Sequence, residues 1–458
     1  MKDKLYKYAP VFLQNAGISM YGLYWRNRRF GGIFAKELEG FRMRENYSEE
    51  QWTEYQTSEL RKLLIHSFNT VPYYNEKYSK LGFEEKDFER FELSEIKDLP
   101  ILEKNDLRKY GRDKLLSSLK EKGDFFESSG STGTPTSIFF SKKFHQKWSA
   151  AYECRVRNWA QVNYKMARGM IGGRRVLPGS EAVKPFYRYN FFEKQTYFSA
   201  YHISESTVHD YVQGLIKNKA EYLVGYAMSI YFFADFILKK NIKISGLKAV
   251  LTSSEKLTSS MRKSIEKAFQ CKVFDAYSGV EACGLISENS YGELLFSPDT
   301  GVLEILDESG KDVGNGESGS VISTGFMNYD QPLIRYNIGD RVKLSKNQET
   351  KSGLKMLKID EIEGRVEDVV VGKDGRKMVR FHSLFVEIPS LKQAQIIQHS
   401  YDLLELKLVT ENSFSINEEN QIKERLKSQL GNIEILFTYV SEVSMTKNGK
   451  YKAVISKL

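Results

Sequence analysis

Eight consecutive residues, Ser128-Ser129-Gly130-Ser131-Thr132-Gly133-Thr134-Pro135, are almost entirely hydroxyl and glycine. They lie between two apolar β-type runs, Phe125-Phe126 and Ile138-Phe139-Phe140, so the sequence predicts a strand-loop-strand turn. Glycines let a backbone curl until several N–H groups point inward, and hydroxyls add further donors; the combination suits a polyphosphate. The segment lacks the Gly-Lys-Ser/Thr ending of a P-loop and does not open directly into a helix. Taken alone, it also reads as a flexible polar loop.

The flanking pattern narrows the fold. Residues 45 to 85 carry Leu60, Leu63, Leu64 and Phe68 at helical spacing, with a break at Val71-Pro72, so the opening is α-rich. From about Asp124 onward, short β-rich runs alternate with amphipathic stretches: Ile138 to Ser141, a helix around Trp148 to Ala160, then strands at Tyr222 to Val224, Ala249 to Thr252, Val273 to Tyr277 and Val321 to Thr324. Such alternation predicts an α/β layer fold. After Gly364 the pattern changes, with strands near Val369 to Val371, Leu406 to Thr410 and Ile433 to Tyr439 around a charged helix near Glu418 to Leu430. This is expected to be a small α+β cap domain, residues 365–458, joined to a large domain of packed sheets and helices, residues 1–364, by a short hinge.

A chain of 458 residues with 41% apolar content can bury more than one core, in keeping with two domains. Its three cysteines, Cys154, Cys271 and Cys283, have neither zinc-site spacing nor disulfide-scaffold density, so a reduced, cytoplasmic setting is expected. The net charge of +9 favours anionic ligands, but no arginine-rich block or helix-turn-helix pattern points to nucleic acid. Tyr8 to Trp25 carries no charge, follows Lys2, Lys4 and Lys7, and is closed by Arg26, Arg28 and Arg29. Pro10, Gln14, Asn15, Gly17 and Ser19 dilute it, so a packed or surface-lying segment is expected rather than a span, which leaves peripheral association at the inner face of a membrane open.

Four further segments carry chemistry: Ser253-Ser254-Glu255-Lys256-Leu257 before an amphipathic helix, Tyr277-Ser278-Gly279-Val280-Glu281, Arg335-Tyr336-Asn337-Ile338-Gly339-Asp340, and Gly364-Arg365-Val366-Glu367-Asp368. A fifth, Thr446-Lys447-Asn448-Gly449-Lys450, stands eight residues from the C-terminus. In isolation, Ile-Gly-Asp is a common turn, Tyr277 a strand-end aromatic, and Asn-Gly a hairpin tip carrying a solvated lysine. In this order, together with the loop from Ser128, they resemble the motifs of the adenylate-forming superfamily of acyl-CoA ligases and adenylation domains. Within it the chain is most similar to the phenylacetate-CoA ligase group and its CapK-like branch, associated with capsule and exopolysaccharide biosynthesis. Thr136 in place of the usual lysine, Leu63-Leu64-Ile65-His66, Val71-Pro72-Tyr73-Tyr74, Tyr201-His202-Ile203-Ser204 and Gly225-Tyr226 carry that narrower likeness.

The resemblance implies a two-step ligase that converts a carboxylate and ATP into an acyl-AMP, then passes the acyl group to a CoA thiol or to an amine on a sugar nucleotide or glycan precursor. By the same resemblance, Ser128 to Thr134 hold the β- and γ-phosphates, Ser254 and Glu255 line the adenine pocket, Tyr277 stacks on adenine, Glu281 holds Mg2+, and Asp340 takes the ribose hydroxyls. Arg365 reaches the nucleotide, Glu367 or Asp368 is the pivot, Lys450 is the catalytic lysine, and His202, Gly225 and Tyr226 border the acyl pocket. Three positions depart from the pattern: Ser278 replaces the usual glycine, Val280 a Thr or Ser, and Glu367 an aspartate. The altered Tyr277 to Glu281 segment keeps a second reading open, a degraded nucleotide-binding scaffold in a polysaccharide assembly complex.

Overall fold

The structure, a computed structural model, describes residues 6, 8–127, 136–173, 184–200, 202–363, 370–373, 375–378, 382–385, 388, 390–411, 414–443 and 454–458. Of the residues expected at the site, Ser128 to Thr134, Arg365, Glu367, Asp368 and Lys450 lie outside these.

The chain opens with helices, Val11–Phe30, Phe34–Arg44, Glu49–Thr70 and Pro72–Lys80 among them. The 45 to 85 region divides where the sequence suggested: Ser48 caps the first helix through a reciprocal bond with Gln51, and Pro72 opens the second. Leu60, Leu63, Leu64, Tyr74 and Tyr78 from this region are buried in one core. Each large apolar side chain taken fully out of water there contributes about 1.5–3 kcal/mol.

Next come β1 (Gly123–Glu127) and β2 (Ser137–Ser141), an antiparallel pair with Phe125 opposite Phe139 and Glu127 opposite Ser137. The strand-loop-strand reading is therefore correct for the described flanks. The following helix differs from expectation: it runs Lys142–Tyr152 and passes into a wider π turn at Glu153–Arg157. Ser141 sets the earlier start by accepting from the Phe144 N–H, and in the π turn the Asn158 N–H reaches back five residues to the Glu153 carbonyl at 2.9 Å.

The remaining strands are β3 (Arg168–Gly172), β4 (Tyr187–Asn190), β5 (Gln195–Ser199), β6 (Tyr222–Tyr226), β7 (Ala249–Ser253), β8 (Lys272–Tyr277), β9 (Ile286–Glu288), β10 (Leu294–Phe296), β11 (Gly301–Leu306), β12 (Ser318–Gly325), β13 (Tyr336–Leu344) and β14 (Lys358–Glu363). Among the described residues they form one twelve-stranded sheet ordered β11-β12-β13-β14-β10-β9-β8-β7-β6-β3-β5-β4. Its middle is parallel, β5-β3-β6-β7-β8, with helices Val208–Lys217, Ala227–Lys239 and Ser259–Phe269 in the connections. Ile171, Leu223, Val250, Ile230, Phe233 and Ile265 are fully buried between this sheet and those helices. Parallel strands buried by crossover helices read as apolar runs, which is why this part was legible in sequence.

Residues 370–458 have a core of their own. After a short pair, β15 (Val370–Val371) and β16 (Lys377–Met378), a four-stranded sheet ordered β19-β18-β17-β20 is built from β17 (Leu391–Gln398), β18 (Leu403–Thr410), β19 (Glu434–Tyr439) and β20 (Val454–Ser456). Helix Ile416–Leu430 lays Ile422 and Leu426 on Leu404, Leu406 and Leu408 of this sheet, the small α+β unit expected.

Candidate active site

The five parallel strands bring the dispersed motifs to one edge. Registers pair Gly172 with Ser199, Gly225 with Ile171, Tyr226 with Ser253, and Ser253 with Ala276. The carboxyl ends of β5, β3, β6, β7 and β8 therefore lie in a row, and His202, Gly225-Tyr226, Ser254-Glu255 and Tyr277 stand at or just after the ends of β5, β6, β7 and β8. In open α/β sheets, ligands bind at this end of the strands.

Local backbone strain marks the same edge. Ser254 adopts φ +70 and Ala282 φ +47, left-handed conformations that cost a residue with a Cβ about 1 kcal/mol or more. The Glu255 carboxylate accepts from the Met228 N–H at 2.9 Å, at the first turn of helix Ala227–Lys239, which ties the adenine-type segment to the Gly225-Tyr226 corner. A Cβ on Gly225 would lie 2.2 Å from the Ile171 carbonyl oxygen, so close approach of β3 requires this glycine. His202 is buried, its Nδ1 2.8 Å from the Ser199 hydroxyl and its ring beside Phe186.

Two carboxylates complete the site. Asp340 sits in β13, not in a turn between strands. Ser320 pairs with Arg341 while Ile322 pairs with Asn337, so β13 has two more residues between pairs than β12, and a bulge spans Ile338 to Asp340. Gly339 takes φ +82 and gives its N–H to the Asn337 side chain at 3.0 Å. Bulges re-aim side chains, and this one brings Asp340 to Tyr277, whose hydroxyl donates to Asp340 Oδ2 at 2.8 Å. The sequence named both residues for the nucleotide but gave no sign of their bond. Burial, followed by the Asp340 charge, pushes the Tyr277 phenol well above its usual range, so it stays a donor.

Glu281 is buried at the turn after β8, where it accepts from the Thr136 hydroxyl and the Tyr336 hydroxyl, each at 3.3 Å. Burial, with Glu281 next, likewise keeps Tyr336 protonated. A Cβ on Gly279 would lie 2.2 Å from Glu281 Oε2, so the glycine leaves room for the carboxylate to fold back. Thr136 was noticed in sequence only as a missing lysine, and Tyr336 only as part of a motif. Their contact links β2, the turn after β8 and β13, segments 55 to 200 residues apart, which no local pattern encodes.

The small β1-β2 sheet is held to this place by side chains. Gln331 accepts from the Phe139 N–H at 2.7 Å and donates to the Gly111 carbonyl at 2.7 Å, while Asn328 donates to the Phe139 carbonyl at 3.1 Å. Arg112 grips both strands next to the loop, bonding Glu127 at 3.0 Å and Ser137 at 3.2 Å. Thr136, the first described residue after the hydroxyl-rich segment, is thereby fixed against Glu281. The three cysteines are free, and burial pushes the Cys283 thiol, next to the site, up to about 12, which favours its protonated form.

Comparison with known proteins agrees with this fold. Residues 370–457 match the CapK C-terminal domain family. The chain is 29% identical over 465 aligned residues to Protein CapK of Staphylococcus aureus, covering 100% of both, and 22% identical over 418 residues to phenylacetate-coenzyme A ligase of Escherichia coli (strain K12), covering 82% of this chain and 88% of the relative. In fold it resembles 2-hydroxyisobutyryl-CoA ligase, solved with 2-HIB-AMP and CoA in the thioesterification state, with TM-score 0.59 and 17% identity over 90% of this chain and 91% of that one. The relatives, with a fold to match, define an adenylate-forming ligase. Within that class the chain is similar to the phenylacetate-CoA ligase group over most of its length, and to Protein CapK over all of it.

Proposed function

We propose that the protein activates a carboxylic acid with ATP as acyl-AMP and transfers the acyl group to the thiol of CoA, serving capsule or exopolysaccharide synthesis. The observation that carries this is the convergence of Tyr277, Asp340 and Glu281 with Thr136 at the carboxyl edge of the parallel strands. A carboxylate resists substitution because its leaving group would be oxide. In the first step a substrate carboxylate oxygen bonds to the α-phosphorus, the bond to the bridging oxygen breaks, and pyrophosphate leaves. In the second the thiol sulfur bonds to the acyl carbon, the acyl C–O bond to AMP breaks, AMP leaves, and the thiol proton passes to solvent.

The protein's contribution is positioning and charge placement. Asp340 offers one oxygen to Tyr277 and keeps acceptor capacity for paired ribose hydroxyls, while Tyr277 presents its ring to adenine. Ser128 to Thr134 take the β- and γ-phosphates, Ser254 and Glu255 shape the base pocket, and Arg365 reaches the nucleotide. His202, with Gly225 and Tyr226, closes the acyl side. Residues 365–458 move about Glu367 or Asp368, delivering Lys450 to the α-phosphate for the first step and withdrawing it for the second.

The donor set around Glu281 fits Mg2+. Among the described residues no cluster of three or more His, Cys, Asp or Glu is present, and one carboxylate beside hydroxyls is what a cation held mainly by water and phosphates needs. Bound there, Mg2+ would neutralise phosphate charge. Thr136 supplies a hydroxyl beside Glu281 where Val280 has none, and a degraded scaffold has no need for a buried carboxylate held this way.

The test is ATP–pyrophosphate exchange across aryl, fatty, amino and uronic acids, followed by transfer from preformed acyl-AMP to CoA or to amines. One acid class is expected to support exchange, and CoA to accept. Lys450→Ala should suppress exchange by about a hundredfold or more while sparing transfer. Equal loss in both half-reactions would falsify the role of Lys450, transfer to amines alone would move the acceptor, and silence from folded, ATP-binding protein would favour the scaffold.

A further inference from the structure

The N-terminal helix, Val11–Phe30, turns its polar residues toward the protein and its apolar residues toward solvent. Gln14, Ser19 and Gly22 are among its buried positions. The reason is the strand it covers. β4 is the last strand of the large sheet, and its outer backbone N–H groups have no strand partner. Asn15 Oδ1 accepts from the Tyr189 N–H at 3.0 Å and Ser19 Oγ from the Phe191 N–H at 3.0 Å, while Gln14 accepts from Arg188. A Cβ on Gly22 would lie 1.9 Å from Asn190 Nδ2, so the helix backbone presses directly on this edge. Arg26 donates to the Phe192 carbonyl, and Arg29 pairs with Glu193.

With its polar face spent on the sheet edge, the helix exposes Phe12 (68%), Leu13, Met20 (63%), Tyr21 and Tyr24, and Phe191 (70%) extends the patch from the turn after β4. At 100° per residue the five helix positions fall within one half of the circumference, over a little more than three turns. A surface helix of a globular protein has the opposite arrangement. Among the described residues no helix is long and apolar enough to cross a membrane.

We propose that this face lies on an anionic lipid bilayer, with the helix in the interfacial plane. Charge complementarity favours lipid: between Asp3 and Glu37 the chain has no acidic residue, while Lys4, Lys7, Arg26, Arg28, Arg29 and Lys36 flank the uncharged stretch. Arg28 and Arg29 are neutralised by Asp124 and Glu193, whereas Arg26 and Lys36 are exposed. Tyrosines, methionine and phenylalanines bordered by cations match a headgroup boundary, where an apolar body and a polar tip are both satisfied. The inference is independent of the acceptor and acid proposed above.

The experiment is flotation of the full chain with vesicles of phosphatidylcholine alone or with about one-third phosphatidylglycerol. Partition into the anionic vesicles, weakened by salt, is expected, and Met20→Glu with Tyr24→Glu should lower it by about tenfold or more. An unchanged melting temperature and unchanged pyrophosphate exchange in that variant establish that the fold persists. Absence of flotation with either vesicle overturns the proposal, as does flotation that the double substitution leaves intact. A concentration-dependent dimer that the substitution dissociates also overturns it, assigning the face to a second copy.

Discussion

Polar side chains point inward at two places on the large sheet, with opposite consequences. Along β4, Asn15 and Ser19 of the N-terminal helix take the open edge's N–H groups while Gln14 holds the Arg188 side chain, so several bonds share the task. At the carboxyl ends of β8 and in the bulge of β13, Glu281 and Asp340 are each steadied by hydroxyls while keeping oxygen lone pairs for a ligand. The first arrangement is redundant, so losing one bond costs about 1 kcal/mol of stability. Under the proposed function, the second concentrates activity in single atoms. Stability and activity should therefore separate cleanly between the two regions.

The largest expected effect is at Glu281. Glu281→Gln keeps the shape and the two hydroxyl contacts but removes the charge, and pyrophosphate exchange should fall about 10²–10³-fold with little change in melting temperature. A fall of less than threefold would place Glu281 with the redundant bonds.

Asp340→Asn comes next, with an expected loss of about 10–100-fold expressed mainly in KM for ATP. Tyr277→Phe should cost less, and a double-mutant cycle should return a coupling of about 0.5–3 kcal/mol, because each residue steadies the other through the 2.8 Å bond. Zero coupling would mean that the bond does not matter to nucleotide binding.

The smallest effect belongs to the helix side and appears only with pH. Burial, then Arg29 and Arg28, pushes His145 down to about 3, and its Nδ1 accepts from Arg28 Nε at 3.3 Å. The folded value lies below that of the unfolded chain, so the neutral ring contributes stability above about pH 6.5 that is lost progressively as pH falls toward 3. Urea melts of the wild type should lose about 1–3 kcal/mol between pH 7 and 4, and His145→Gln should flatten that slope. Exchange activity at neutral pH should be unaffected.

Sequence pattern located the buried parallel strands and the strand pair on either side of the hydroxyl-rich segment, because each rests on chain-local chemistry: apolar runs for strands, with glycine and hydroxyl residues between them. The helix after β2 starts earlier than the sequence suggested, since the Ser141 cap that sets its start depends on which polar group wins a local competition. Periodicity does not report that outcome.

By itself, then, the sequence determined the α/β class and the family likeness, and it supplied the candidate residues for the site. Tertiary structure alone decided that Thr136 and Tyr336 meet at Glu281, that a bulge brings Asp340 to Tyr277, and that the uncharged N-terminal segment lies with its apolar face outward. The physical reason is the same in all three cases. Backbone preference and hydrophobic period act over a few residues, whereas a sheet edge needing acceptors, or a carboxylate needing donors, is satisfied by whatever the fold brings near it from far along the chain.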